Sequence, residues 1–211
     1  MTDYSGWPSH YYTHGGYPQR HLKKFRPKKD KDGNVDKPKY LWYDSPVQEK
    51  LHMALEELKT GDCTLVLLGP RGTGKTQAAV QLAYQLDLWQ KTQSKAGEHY
   101  YTQLGQLFDA EKQSWNTGKE LDHMNNEILK PFARAKETQL LVLDELQECT
   151  NSDWERQMST RLIDSRYQEE KNTILVGNLT TDGLECFFSK SINSRLKETG
   201  FIIEMTGKKY R

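Results

Sequence analysis

Short apolar runs alternate along this chain with stretches whose apolar positions recur every three or four residues, the pattern of a parallel sheet covered by helices on both sides. The runs predict five strands: Cys63 to Leu68, His99 to Thr102, Leu140 to Asp144, Thr173 to Gly177 and Phe201 to Met205. Three of them are continuously apolar, as central strands buried on both faces must be. Helical spacing fills the gaps. Ser45-Pro46 opens a helix with Leu51, Ala54, Leu55 and Leu58 on one face, and Gly61 ends it. Lys75 to Trp89 buries Ala78, Ala79, Leu82, Ala83 and Leu86, while Ser152 to Gln168 presents Trp154, Met158, Leu162 and Ile163. The interval from Thr102 to Ala133 has room for two further helices.

Ahead of Ser45 the periodicity vanishes. Met1 to about Tyr40 is rich in Tyr, His, Gly, Pro and Lys and is expected to contribute little core. Asp32-Gly33-Asn34 marks a turn there and allows a local hairpin into Lys39 to Tyr43. The organisation predicted is a basic, aromatic and partly flexible arm over 1–44, followed by an α/β core over 45–211 without a separate C-terminal lid domain.

Charge sharpens that division. The whole chain carries a net charge of +1, so it is no polycation that would coat nucleic acid indiscriminately. Through Tyr40, however, nine Lys and Arg face four Asp, a balance of +5 that leaves about −4 for the rest. Cys63, Cys149 and Cys186 lie far apart without paired spacing, which argues against a zinc site and a disulfide framework. No run of eighteen apolar residues exists, and the N-terminus is polar where a signal peptide would be apolar. A cytoplasmic protein with no membrane partner is expected.

The strongest chemical signal lies between the first strand and the helix after it: Gly69, Pro70, Arg71, Gly72, Thr73, Gly74, Lys75 and Thr76, followed by Gln77. The glycines let the backbone curl so that successive amides point at phosphates with a helix dipole behind them. Lys75 would reach the β- and γ-phosphates of ATP, and the Thr76 hydroxyl would take a place on Mg2+. A second signal is the buried run ending in Asp144-Glu145 at the edge where open α/β sheets bind ligands. Asp144 would hold the metal through water and Glu145 would polarise the attacking water, which makes hydrolysis the predicted reaction. Paired acids after a strand also occur as solvated turn residues. A third run ends at Asn178, either a sensor for the attacking water and γ-phosphate or a strand-end turn residue capping the next helix.

The order of these motifs, together with Leu162-Ile163-Asp164-Ser165-Arg166-Tyr167 and Ile192-Asn193-Ser194-Arg195-Leu196, resembles the DnaC-type helicase loaders and the related IstB-type transposition ATPases, both of the AAA+ class. Gly16-Tyr17-Pro18-Gln19-Arg20 resembles the Gly-Ile-Pro-x-Arg segment ahead of their core, and Lys208-Lys209-Tyr210-Arg211 their closing Ser-Tyr-Arg. In those terms the glycine loop and the acid pair are Walker A and Walker B elements. The resemblance implies a P-loop sandwich of three layers, its five-stranded parallel sheet in the order 5-1-4-3-2, and a homo-oligomer with ATP between neighbouring subunits. By the same likeness Arg195 would be an arginine finger entering the next subunit's site; by composition alone it is an arginine on a solvated helix face. Many loaders have a second arginine one turn earlier, where this chain has Ser191 beside Lys190. Loaders also carry a helicase-binding domain ahead of the Gly-Ile-Pro-like segment, where this chain has about fifteen residues.

Single-stranded DNA and a replicative helicase are the implied partners. Arg20, Lys23, Lys24, Arg26, Lys28, Lys29 and Lys31 interleave with Phe25 and follow Tyr11, Tyr12 and Tyr17, a mixture suited to phosphate contact and base stacking or to a solvated arm. Lys112, Trp115 and Lys119 are further candidates for DNA contact, with Trp115 equally suited to packing between helices. The leading expectation is an ATP-dependent helicase loader. A transposition helper acting with a transposase, a P-loop nucleotide kinase, and a nucleotide-gated adaptor that does not turn over stand as alternatives.

Overall fold

Strands made of leucine, isoleucine and valine at consecutive positions leave no polar face, so they are stable only when covered on both sides. In the computed structural model, which describes residues 16–22, 45–94, 97–116, 131–150, 152–198 and 200–206, the expected runs pair into one sheet. Its strands are β1 (Thr64–Leu68), β2 (His99–Gln103), β3 (Leu140–Asp144), β4 (Asn172–Gly177) and β5 (Gly200–Glu204). All pairings are parallel, and the order β2-β3-β4-β1-β5 is the predicted 5-1-4-3-2 read from the other edge. The central places go to β3, β4 and β1, every residue of which is buried.

Around the sheet lie α1 (Gln19–Leu22), α2 (Ser45–Thr60), α3 (Lys75–Thr92), α4 (Leu104–Asn116), α5 (Pro131–Glu137), α6 (Asp153–Gln168), α7 (Thr181–Phe187) and α8 (Lys190–Glu198). Strand side chains point alternately to two faces. Leu65, Leu67, Leu140, Val142, Ile174 and Val176 pack with α2 and α3 in one core. Val66, Leu68, Leu141, Leu143 and Leu175 pack with residues of α4 to α8 in another. Each large apolar side chain so buried contributes roughly 1.5–3 kcal/mol. No helix among the described residues is long and apolar enough to cross a membrane.

The stretch expected to add little core nonetheless places Tyr17 in the first cluster, 5.5 Å between ring centroids from Tyr101. Gly16 makes this approach possible, since a β-carbon there would stand 2.3 Å from the Tyr101 carbonyl oxygen. The Asp32-Gly33-Asn34 hairpin, the basic arm from Lys23 to Lys31 with Phe25, Tyr11, Tyr12, Lys119, the Trp115 side chain and the closing Lys208 to Arg211 lie outside the described residues.

One fully buried cation ties the layers together. Arg166 near the end of α6 donates from Nη1 to the carbonyls of Ala135 (2.7 Å), Thr138 (2.8 Å) and Lys136 (3.2 Å), from Nη2 to that of Asn172, and from Nε to Thr173 Oγ1 at 2.9 Å. Burial pushes the guanidinium down to about 9, with Glu169 and Glu137 opposing, so it stays charged at neutral pH. At the other end of α6, Ser152 and Glu155 satisfy each other's backbone N–H groups as a capping box.

Because the strands are parallel and Leu68 stands beside Gly177, the carboxyl ends of β1, β3 and β4 emerge together. The sheet thus delivers the glycine loop, the acid pair and Asn178 to one edge.

Candidate nucleotide site

The loop leaves β1 pinned by backbone hydrogen bonds, Met205 N to Leu68 O at 2.8 Å and Gly69 N to Leu179 O at 3.2 Å. Gly69 has φ 131°, and a β-carbon on it would lie 2.5 Å from the Met205 carbonyl oxygen, so no other residue fits there. Thr73 Oγ1 donates to Pro70 O at 2.9 Å and fixes the curl. Gly74, at φ 90°, caps α3 with no side chain, and Ala78 N closes the first helical bond onto Gly74 O. The amides of Lys75, Thr76 and Gln77 precede that bond and lack intrahelical acceptors, the condition for binding an anion at a helix N-terminus.

The chemistry of the donors fits a triphosphate. Lys75 is buried, and its Nζ donates to Gly69 O and Pro70 O, each at 2.8 Å. Burial lowers its pKa, opposed by the charges of Asp144 and Glu145. An ammonium held by neutral carbonyls gains a stronger, charge-assisted partner when a phosphate oxygen enters the loop.

Asp144 is buried at the end of β3 and takes three donors: Thr76 Oγ1 at 2.8 Å and Tyr101 OH at 2.6 Å on Oδ2, and Glu145 N at 2.8 Å on Oδ1. Burial, then the Asp144 charge, raises the Tyr101 phenol far above the ordinary tyrosine value, so it remains a donor across the working range. Thr76 and Asp144, in direct contact, are the pair that would hold Mg2+ between protein and phosphate.

Glu145 sits in the left-handed region at φ 56°, turning its side chain away from the strand direction. Its Oε2 accepts from Gln147 Nε2 and, at 3.4 Å, from Asn178 Nδ2, while Gln147 Oε1 accepts from Asn178 N at 2.8 Å. Asn178 therefore meets the catalytic candidate directly, in addition to ending the strand. Arg71 reaches across the rim to Glu148 at 2.6 Å, an exposed pair worth at most about 1 kcal/mol.

The far wall is formed by α1. Gln77 Oε1 lies 2.9 Å from His21 Nδ1, and Gln77 Nε2 donates to His21 O at 3.3 Å. Since Gln77 Oε1 can only accept and Arg20 Nε donates to His21 Nε2 at 3.1 Å, the proton is on Nδ1. Arg20, His21, Arg71, Gly72, Gly74, Lys75, Thr76, Gln77, Asp144, Glu145, Gln147, Gly177 and Asn178 line a cleft of about 390 Å³. Sequence reasoning missed Tyr101, Gln147 and His21 as parts of this site, and placed Arg20 with the DNA-facing arm. Only the likeness of the Gly16 to Arg20 segment to a family motif could have pointed to the α1 wall.

Two other candidates lie elsewhere. Arg195 on α8 is outside the cleft lining: its Nη1 donates to Asp164 Oδ1, and the guanidinium rests 5.1 Å over the Tyr167 ring. Lys112 pairs with Glu155 at 3.5 Å and covers the Trp154 ring at 4.9 Å.

A family model described as "AAA domain" matches residues 62–207. Among solved structures, the DnaC helicase loader has a TM-score of 0.63 at 18% identity, covering 90% of this chain and 100% of that one. DnaI gives 0.57 at 18% identity over 81% of this chain and 88% of that one. The replication initiator DnaA bound to AMPPCP and single-stranded DNA gives 0.57 at 21% identity over 80% and 48%. At such identities the likeness is one of fold, and the chain spans about half the length of the initiator structures it matches. No curated protein matches the sequence.

Proposed function

Since the chain belongs to the AAA domain family, we propose that it is an ATPase whose cycle loads a replicative helicase onto single-stranded DNA in the cytoplasm. The observation that carries the enzymatic part is convergence: Lys75, Thr76, Asp144, Glu145 and Asn178 come from three strand ends and meet around one cleft. Lys75 and the first amides of α3 bind and orient the triphosphate. Thr76 and Asp144 would hold Mg2+, which when bound would supply charge neutralisation at the phosphate oxygens. Glu145 takes a proton from the attacking water, and Asn178 orients that water beside the γ-phosphate.

The loader reading draws its support from the full coverage of the DnaC chain at a TM-score of 0.63, and the DNA partner from an initiator of the same fold with single-stranded DNA bound. Arg195 acts in this scheme on the nucleotide of a neighbouring copy.

Two substitutions test the reaction. Lys75→Ala removes the buried ammonium and should abolish binding of a fluorescent ATP analogue. Glu145→Gln keeps the shape and loses the base, so binding should persist while phosphate release falls at least a hundredfold. Equal affinity and equal turnover in both variants would refute the assignment. ATP should also tighten binding of a labelled single-stranded oligonucleotide and enlarge the particle measured by light scattering; a nucleotide-independent result in both removes the loader reading and leaves the ATPase.

A further inference from the structure

Gln147 belongs to none of the motifs, yet its side chain hydrogen-bonds to the proposed base. It lies in the 3-10 turn Leu146–Glu148 that follows β3. The turn is locked in place by Leu146, fully buried against the bare backbone of Gly177, where a β-carbon would stand 3.3 Å from Leu146 Cβ. From this anchored turn the Gln147 amide spans two strand ends. Its Nε2 donates to Glu145 Oε2 and its Oε1 accepts from Asn178 N at 2.8 Å. Asn178 Nδ2 completes a ring by donating to the same Glu145 Oε2 at 3.4 Å. Glu145 Oε1 accepts no hydrogen bond among the described residues, although Glu145 lines the cleft.

We propose that Gln147 is a positioning residue for hydrolysis, fixing Glu145 through one carboxylate oxygen so that the other alone faces the attacking water. The inference rests on Glu145 being the base. In the step it serves, a water proton passes to Glu145 Oε1 and the water oxygen bonds to the γ-phosphorus. The bond from that phosphorus to the bridging oxygen breaks, and ADP leaves with the electron pair. A carboxylate anchored by Oε2 cannot swing both oxygens toward the phosphates, which shortens the search for the in-line geometry. The Asn178 backbone shares the clamp, so movement of the β4 end on contact with a γ-phosphate also moves the base.

The test compares Gln147→Ala, Gln147→Glu and Glu145→Gln with the unaltered chain by steady-state phosphate release and fluorescent ATP titration, with melting curves as a control on folding. Gln147→Ala should lower kcat at least tenfold, since about 1 Å of misplacement can cost a hundredfold, while KM and nucleotide affinity stay within threefold. Gln147→Glu keeps the size but exchanges the donor for a second carboxylate and should lose at least as much. Wild-type kcat in both Gln147 variants, with Glu145→Gln inactive, overturns the positioning role and leaves the base intact. A kcat loss accompanied by an equal loss of nucleotide affinity assigns Gln147 to binding and overturns it as well. Full turnover in Glu145→Gln removes the base itself, and with it this inference.

Discussion

Asp144 shows how a single side chain in this site depends on groups far away in sequence. Its Oδ2 is shared by Thr76, on the helix of the phosphate loop, and Tyr101, on the neighbouring strand β2. If Thr76 turned to a metal, Tyr101 would be the donor left on Oδ2, beside Glu145 N on Oδ1, to keep the carboxylate aimed. Tyr101→Phe should therefore weaken binding of ATP with magnesium by roughly 1.5 kcal/mol, about tenfold, the worth of a hydrogen bond to a charged group. Binding in EDTA should be unchanged; titration of a fluorescent analogue under both conditions checks the difference. The Tyr101 pKa in the folded chain lies above its ordinary value of 10.0, so the contribution is complete below that value and fades only as pH rises through the folded one. The magnesium-dependent affinity should accordingly show no loss from this residue between pH 7 and 9. The phosphate loop was legible in the sequence because its geometry is local: glycines, a lysine and a helix start occupy consecutive positions. Tyr101, His21 and Gln147 were not, because each acquires its role only when register and topology bring separate segments together.

At the scale of elements, all five strands lie within one residue of their expected bounds, and for the central β1, β3 and β4 the cause is apolar continuity, since burial on both faces leaves no alternative for such runs. The helices of two turns or so, α5, α7 and α8, carry too few apolar positions to announce a period. Arg166 could be quoted only as part of a family-like run, and nothing in its neighbours marked it as the largest fully buried side chain among the described residues. Its five contacts join the end of α5 and the loop after it to the start of β4. Arg166→Met keeps much of the volume but takes the donor from four buried oxygens, each costly to leave unpaired, while Lys136 O keeps Lys171 Nζ at 3.1 Å. A loss of roughly 3 kcal/mol or more is expected, since a single unsatisfied buried group costs about 1–3 kcal/mol and relaxation recovers part of the sum. Urea unfolding monitored by circular dichroism should show the midpoint falling with an unchanged slope. Nucleotide affinity measured well below the new midpoint should stay within a few fold, because Arg166 lies outside the cleft.

For the molecule as a whole, the distance in role between Lys75 and Arg195 is the informative feature. Lys75, Thr76, Asp144, Glu145 and Asn178, the residues proposed to act on the nucleotide within one chain, line a single cleft, whereas Arg195 lies outside it against Asp164 and the Tyr167 ring. Both partners come from α6, so the guanidinium sits on a face shared by α6 and α8, outside the lining of its own chain's cleft. On the proposed reading that face meets the cleft of a neighbouring copy, and charge on the transferred phosphoryl group then competes with Asp164 for the guanidinium. About a quarter of each side chain in the pair is exposed, and the guanidinium would trade one anionic partner for another, so the net cost of the exchange is small compared with the roughly 10³- to 10⁵-fold that such an arginine adds in other NTPases. Arg195→Ala should therefore bind ATP as the unaltered chain does and melt within a few degrees of it. Its phosphate release per subunit should stay flat as protein concentration rises, while that of the unaltered chain climbs with assembly. A mixture supplies the decisive comparison: Lys75→Ala subunits, which cannot bind nucleotide, should restore turnover to Arg195→Ala subunits by lending their own Arg195 in trans. No restoration in mixtures shown by light scattering to co-assemble would place Arg195 outside the reaction, and leave the Asp164 and Tyr167 contacts as a structural bond between α6 and α8.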